Sequence, residues 1–262
     1  MSNLREKRET QLPKILGANS MSALICLTYD DALPVHRNLV APMLTRAGMR
    51  GTFYLPAARD DVHEHSGDWR RLAAEGHELG NHTCWHPCRG RPEWLPRAYH
   101  LEDYDRIRLR DELVLANRIL TLIDGREHRT FAATCSDTAC GPGTGESFTD
   151  ILAELFPAVR SGHCMHPLQG AEGKVLPSFH GDYRKSHEII EIAQSMQEQP
   201  DALLIVLFHG IGSGTHNAFI EIEEHRRVVE WIAQQRTWLE AVSVLEAVDR
   251  RRRSGPTPPS SE

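Results

Sequence analysis

No stretch of this 262-residue sequence approaches the roughly 20 consecutive apolar residues that a membrane-spanning helix needs. The opening residues, MSNLREKRETQLPKILG, also lack the apolar core of a secretory signal. Both absences point to a soluble, cytoplasmic chain with no membrane partner. An excess of basic residues is missing as well. The formal net charge is −6 with histidines neutral, which gives no electrostatic footing for nucleic acid. No internal repeat stands out, and low complexity is confined to RRRRSGPTPPSSE at 250–262, a basic helix end followed by a Pro/Ser tail. There is no second cysteine pair at finger-like spacing. The six cysteines, at 26, 84, 88, 135, 140 and 164, are expected to be reduced thiols in the absence of an export signal.

What is present is an alternation of strand-like and helix-like segments between about 20 and 250. SALICLTYD (22–30) is mostly apolar and ends in carboxylates, as a buried parallel strand does. A helix follows with Pro34 near its start and Gly48 at its stop. GTFYLP, HELGNHT, TFAAT, AVRSG, KVLPSF, ALLIVLFHG and TWLEAVS read as further strands. In the segment 102–124, Leu109, Leu113, Ala116, Leu120 and Ile123 form one apolar helical stripe, with Gly125 beyond its end. Strand then helix, repeated about seven times, predicts an α/β domain with a parallel sheet, closed as a barrel or open. The expected organisation is a polar lead over 1–20, one domain over 21–250, and a disordered Arg/Pro/Ser tail over 251–262.

Fifteen histidines are more than this length normally carries, and the notable ones stand where strands end. Asp30 and Asp31, His82, and His209 all fall there, and in parallel α/β folds active sites collect at the carboxyl ends of strands. His82 and His86 have the i, i+4 interval that lets two imidazoles converge over a helical turn. A catalytic zinc-type site takes three protein ligands and leaves a place for water, and YDD offers the third. Consecutive strand residues point to opposite faces, so the aspartate pair must sit where the strand breaks into its loop. A rival set alternates His82, Cys84, His86 and Cys88, but Pro87 and the tight spacing oppose closure of one cation by one strand. Hydrolysis also needs a base and an acid. One aspartate of the pair suits the first role and His209 the second, with Gly210 and Gly212 keeping its loop open.

TYDDA, NHTCWHP and LFHGIG, in this order on a strand–helix chain and with GTFYLP after the first, resemble the motifs of the polysaccharide deacetylases, carbohydrate esterases with the NodB-homology fold. The resemblance covers about residues 22–247. It implies a distorted (β/α)7-type barrel of the glycoside hydrolase–deacetylase type. It also implies Asp30 as catalytic base, His209 as general acid, and Asp31, His82 and His86 as ligands of one divalent metal ion, zinc by preference. The implied activity is removal of an acetyl group, N-acetyl ahead of O-acetyl, from a sugar, oligosaccharide or related metabolite. The alternatives are an amide (C–N) hydrolase acting on a non-sugar substrate and a non-catalytic carbohydrate-binding homologue; a homo-oligomer stays open.

Three departures from the family pattern stand out. Ala32 replaces a glycine after the aspartates. TCSDTACGPG follows TFAAT where an Arg-x-Pro-Tyr loop should lie, with no arginine to orient the base. No Asp–Trp motif supports the acid histidine, for which Asp182 is nominated. Asp137, in that altered loop, and Trp85, beside the ligands, are the candidate substrate contacts, Trp85 by stacking on a sugar ring. His63, His65, His163 and His166 are read as solvent-facing loop residues.

Overall fold

Alternation along the first strand, β1 (Ala23–Asp30), divides the molecule into an inside and an outside. Ile25, Leu27 and Tyr29 join an outer layer with helix residues such as Leu44, Trp69 and Ile232. Leu24 and Cys26 belong to a separate inner cluster with Leu203 and Ile205. The computed structural model describes residues 22–169, 174–199 and 201–254. The polar lead over 1–20 and the tail beyond Ser254 lie outside the described residues.

Six more strands complete a ring: β2 (Thr52–Leu55), β3 (Glu78–Asn81), β4 (Phe131–Ala132), β5 (Val159–His163), β6 (Val175–His180) and β7 (Leu203–Phe208). They pair in chain order, all parallel, and β7 closes on β1. The chain thus forms a closed seven-stranded barrel, as the resemblance implies, where the alternation alone allowed a closed or an open sheet. An eighth short strand, β8 (Leu239–Ala241), pairs with Ala23–Ile25 below the point where β2 takes over the same edge of β1.

Helices α1 (Ala41–Arg46), α2 (Asp60–Glu64), α3 (Ser66–Ala74), α4 (Arg106–Asp124), α5 (Thr149–Leu155), α6 (Ser186–Gln194), α7 (Ile222–Gln234) and α8 (Val244–Ser254) make the connections. The stripe of α4 is buried at all five expected positions, Asp105 caps its first turn, and Gly125 ends it in a left-handed conformation. α8 runs through Ser254 and so takes Arg251, Arg252 and Arg253 into a helix, past the start of the expected tail.

The interior is more polar than strand periodicity suggests. Glu78, 2% exposed, accepts hydrogen bonds from Thr52 Oγ1 (2.9 Å), from Thr130 N (2.8 Å) and Oγ1 (2.6 Å), and from Leu245 N at the start of α8 (2.9 Å). A buried carboxylate is tolerated because every acceptor position finds a donor, one of them at a helix N-terminus. Glu78 therefore closes the end of the barrel opposite the strand carboxyl termini and leaves the other end open for chemistry. Gly80, on the same inward face of β3, leaves room for the Tyr54 ring, which a Cβ there would overlap.

Candidate active site

Inward-facing parity carries Asp30 to the barrel mouth, and a break in the backbone brings Asp31 with it. Asp31 and Ala32 both adopt left-handed conformations, φ 81° and 53°. Two such residues in succession end the strand and turn Asp31 back toward the axis, where it is 5% exposed. Ala32 fills a left-handed position where glycine carries no Cβ penalty, a strain of about 1–2 kcal/mol.

The i, i+4 histidines meet without a helical turn. His82 continues the inward face of β3, and residues 83–86 form a tight loop with Thr83 at φ 65° and His86 at φ 57°. Asn81 Oδ1 accepts from Thr83 N (2.7 Å), and Thr83 Oγ1 accepts from His86 N (3.0 Å), so two short side chains wind the loop. Glu112 of α4 holds its far side by accepting from Cys84 N (3.1 Å) and Trp85 N (3.2 Å). The two imidazoles end with ring centroids 4.8 Å apart, nearly perpendicular.

One ligand atom from each of Asp31, His82 and His86 lies within 4.8 Å of the others. His86 Nε2 is 3.4 Å and His82 Nε2 is 3.9 Å from Asp31 Oδ1. That oxygen is buried and, among the described residues, has no hydrogen-bond partner, an expensive state unless a cation sits against it. His82 Nδ1 donates to the Ala132 carbonyl (2.9 Å), which leaves Nε2 as the lone-pair nitrogen facing the cluster. Burial, followed by the neighbouring His86, pushes the His82 imidazole well below its usual value and keeps it in the neutral, ligating form. Burial alone would raise Asp31, but His86, His82 and His209 outweigh it and hold the carboxyl low. One carboxylate oxygen and two imidazole nitrogens converging from two loops fit a divalent cation of the zinc type.

The missing arginine is supplied by another strand. Arg160, the second residue of β5, points into the barrel, is 4% exposed, and bonds Asp30 Oδ2 through Nη2. Its guanidinium also lies 5.1 Å from the centre of the Tyr54 ring. Among the described residues Asp30 Oδ1 is buried without a hydrogen-bond partner, while Asp30 Oδ2 is 3.8 Å from His82 Nε2. The loop after β4 does lack the arginine, but inward parity puts Arg160 where it reaches the same carboxylate. A lone charge at the inward position of AVRSG is the sequence signal that identifies it.

His209 follows β7 and is gripped twice by Asp182, the nominated partner. Its Nδ1 lies 2.6 Å from Asp182 Oδ2, and its backbone N–H donates to Asp182 Oδ1 at 3.0 Å. Burial would depress this imidazole, but the Asp182 bond and the fields of Asp30 and Asp31 prevail and raise it to about 9. The carbonyl of His209 is fixed by His36, which accepts from Leu33 N at Nδ1 (3.3 Å) and donates from Nε2 (2.7 Å). His36 stands in a five-residue π-helical stretch, His36–Val40, preceding α1.

His216, which sequence reading passed over inside a glycine-rich loop, stacks on His209 with centroids 5.1 Å apart and 10° between planes. Its Nε2 is 3.7 Å from Asp31 Oδ2. Of the surplus histidines, His63 lies in α2 and His163 ends β5, its ring 3.9 Å from that of His180.

Asp137 makes no bond to these groups among the described residues. Its carboxylate accepts from Arg89 N (2.8 Å) and ties the loop after β4 to the loop after the metal-type ligands. Trp85 is 39% exposed, and Tyr99 stacks on one face of its indole with centroids 5.5 Å apart. The cysteine expectation fails in part: Cys88 and Cys135 form a disulfide, while Cys26, Cys84, Cys140 and Cys164 are free. The bridge spans 47 residues and needs the two mouth loops side by side, which spacing alone could not reveal. It also removes the support that reduced thiols lent to a cytoplasmic location, since stable disulfides belong mainly to oxidising compartments.

Residues 18–139 match the family model for polysaccharide deacetylase. No curated protein aligns significantly with the chain. Among solved structures, the fold is shared with a Mycobacterium smegmatis protein described as a polysaccharide deacetylase, at 16% identity and TM-score 0.61, with 99% of both chains covered. It is shared as well with the peptidoglycan deacetylase PdaC of Bacillus subtilis, at 15% identity and TM-score 0.55, covering 89% of this chain and 94% of that one. A third relative is a mutant of BA3943, described as a CE4 family pseudoenzyme with restored enzymatic activity, at 16% identity and TM-score 0.52, covering 88% and 69%. The matched stretch, 18–139, holds Asp30, Asp31, His82 and His86, and so makes the chain similar to the polysaccharide deacetylases over the part that carries the metal-type cluster.

Proposed function

We propose that this chain is a metal-dependent deacetylase that hydrolyses an acetyl group, N-acetyl in preference to O-acetyl, from a sugar, oligosaccharide or related metabolite. The observation that carries the reading is the gathering of Asp31, His82 and His86 around one point, with Asp30 and the His209–Asp182 pair beside it. A divalent cation there, zinc by preference, would polarise the acetyl carbonyl and acidify water. Arg160 holds Asp30 by Oδ2 and leaves Oδ1 free to take the proton of the attacking water. Asp182 fixes the His209 ring through Nδ1, so that Nε2 delivers a proton to the departing sugar nitrogen or oxygen. His36 holds the backbone of His209 in place through its carbonyl.

A binding homologue without turnover is favoured only by the altered loop after β4, and Arg160 answers that objection by contacting Asp30 from β5. The deciding measurement is acetate release from a panel of N- and O-acetylated sugars, with and without chelator. Release that falls to background with chelator and returns on adding zinc is the expected result. No release from any sugar under any metal overturns the reading.

The acid role has a pH signature. His209 is raised to about 9, so its protonated, proton-donating form is full below neutral pH and is lost as pH rises through about 9. The alkaline limb of kcat should fall there. Asp182→Asn removes the largest raising contribution and should shift that limb down by about one unit or more. An alkaline limb that stays put in the variant removes His209 from the acid role.

A further inference from the structure

Sequence reading puts the sugar on Trp85, whose face Tyr99 covers. The structure offers a different indole. Trp94 is 63% exposed, and its ring lies 5.9 Å from that of His86, tilted 58°. We propose that Trp94 is the carbohydrate platform of the site: a pyranose ring of the acetylated substrate stacks on it in the cavity beside His86. This inference rests on the deacetylase reading and names the part of the substrate that the chain grips.

Exposure alone does not single out an indole, but the loop that carries this one is tied down rather than left as a loose tip. Leu95, 6% exposed, anchors the neighbouring position. Leu95 N donates to the Pro92 carbonyl (3.0 Å), the Leu95 carbonyl pairs with His100 Nε2 (3.0 Å), and Tyr99 N donates to the Pro96 carbonyl (2.8 Å). Indole faces bind the C–H faces of sugar rings as amphipathic surfaces do, apolar on the flat and wet at the edge.

The cavity next to this indole has a volume of about 220 Å³ and is lined by Trp94, Trp85, Tyr99, His86 and Arg59, among others. It is smaller than the roughly 300–1,000 Å³ of drug-sized sites, so it suits one ring. Arg59 donates from Nη1 to the Asp31 carbonyl (3.3 Å) and is otherwise exposed, which leaves guanidinium donors for ring hydroxyls. Since His86 is at once a lining residue and a candidate ligand, a ring on Trp94 lies within one acetamido arm of the reacting centre. A small acyclic ester gains nothing from this surface.

The test compares the wild type, Trp94→Ala and Trp94→Phe in acetate release from the acetylated sugar panel. Ethyl acetate, which has no ring to stack, serves as the control, and bound metal is counted in each protein. Expected is a KM for the best sugar raised roughly fivefold to tenfold in Trp94→Ala, with kcat within about twofold. Ethyl acetate hydrolysis and metal content should not change, and Trp94→Phe should recover most of the lost affinity. An unchanged KM for the sugar overturns the platform, and so does an equal loss on sugar and ethyl acetate, which would place the effect on His86. If the wild type cleaves ethyl acetate but no sugar, the deacetylase reading falls and the platform with it; if sugars are cleaved and only the Trp94 effect is missing, the platform alone falls.

Discussion

On the proposed reading, His82→Ala or Asp31→Ala is expected to lose the cation and to reduce acetate release on the order of 10⁴-fold, as deletion of one member of an interdependent catalytic set does. The three candidate ligands are the fewest that such a site uses, and their ligand atoms all lie within 4.8 Å of one another. Removing one leaves a two-point site. His82 is the more telling position because the bond from its Nδ1 to the Ala132 carbonyl fixes Nε2 toward the cluster. Metal content by elemental analysis and acetate release should fall together. Full metal content in either variant would contradict the assignment. Circular dichroism and thermal melting separate lost binding from lost folding, since alanine at the left-handed Asp31 position, φ 81°, keeps the Cβ penalty.

Asp30 is expected to behave in the opposite way. Asp30→Ala keeps the cation and loses turnover, again by several orders of magnitude, because the base is removed while Asp31, His82 and His86 stay in place. The substitution also strands Arg160, 5% exposed at its side chain. Breaking such a buried pair from one side costs about 3–5 kcal/mol. Asp30→Asn keeps a polar partner for the guanidinium and is the cleaner variant: near-wild-type melting and metal content with turnover near background. Substantial turnover in Asp30→Asn would exclude this carboxylate as the base. Arg160→Met should lower kcat more than it raises KM, as expected of a residue that positions the base and touches no substrate.

The fold was legible from pattern because it depends on local repetition. Strand-length apolar runs such as ALLIVLFHG, helical stripes such as that of α4, and their regular alternation leave a parallel α/β sheet, closed or open, and the resemblance chose the barrel. That Asp31, His82 and His86 come together was legible too, since their residue types, near strand ends, suggest a shared site. The way it is built was not. The i, i+4 interval suggested a helical turn, whereas the chain uses a loop wound by Asn81 and Thr83.

By itself, the sequence determined the strand–helix order, the strand-end positions of Asp30, Asp31, His82 and His209, and the spacing that singles out His86. Only the tertiary structure decided what meets across the barrel: Arg160 on Asp30, 130 residues apart; Cys88 on Cys135; and His216 on His209. It also decided that Tyr99 covers Trp85 while Trp94 stays open to solvent. The physical reason is that strand periodicity fixes which way a side chain points, in or out, but not which residue lies opposite. That second fact arises only when seven strands close and their inward side chains share one confined space.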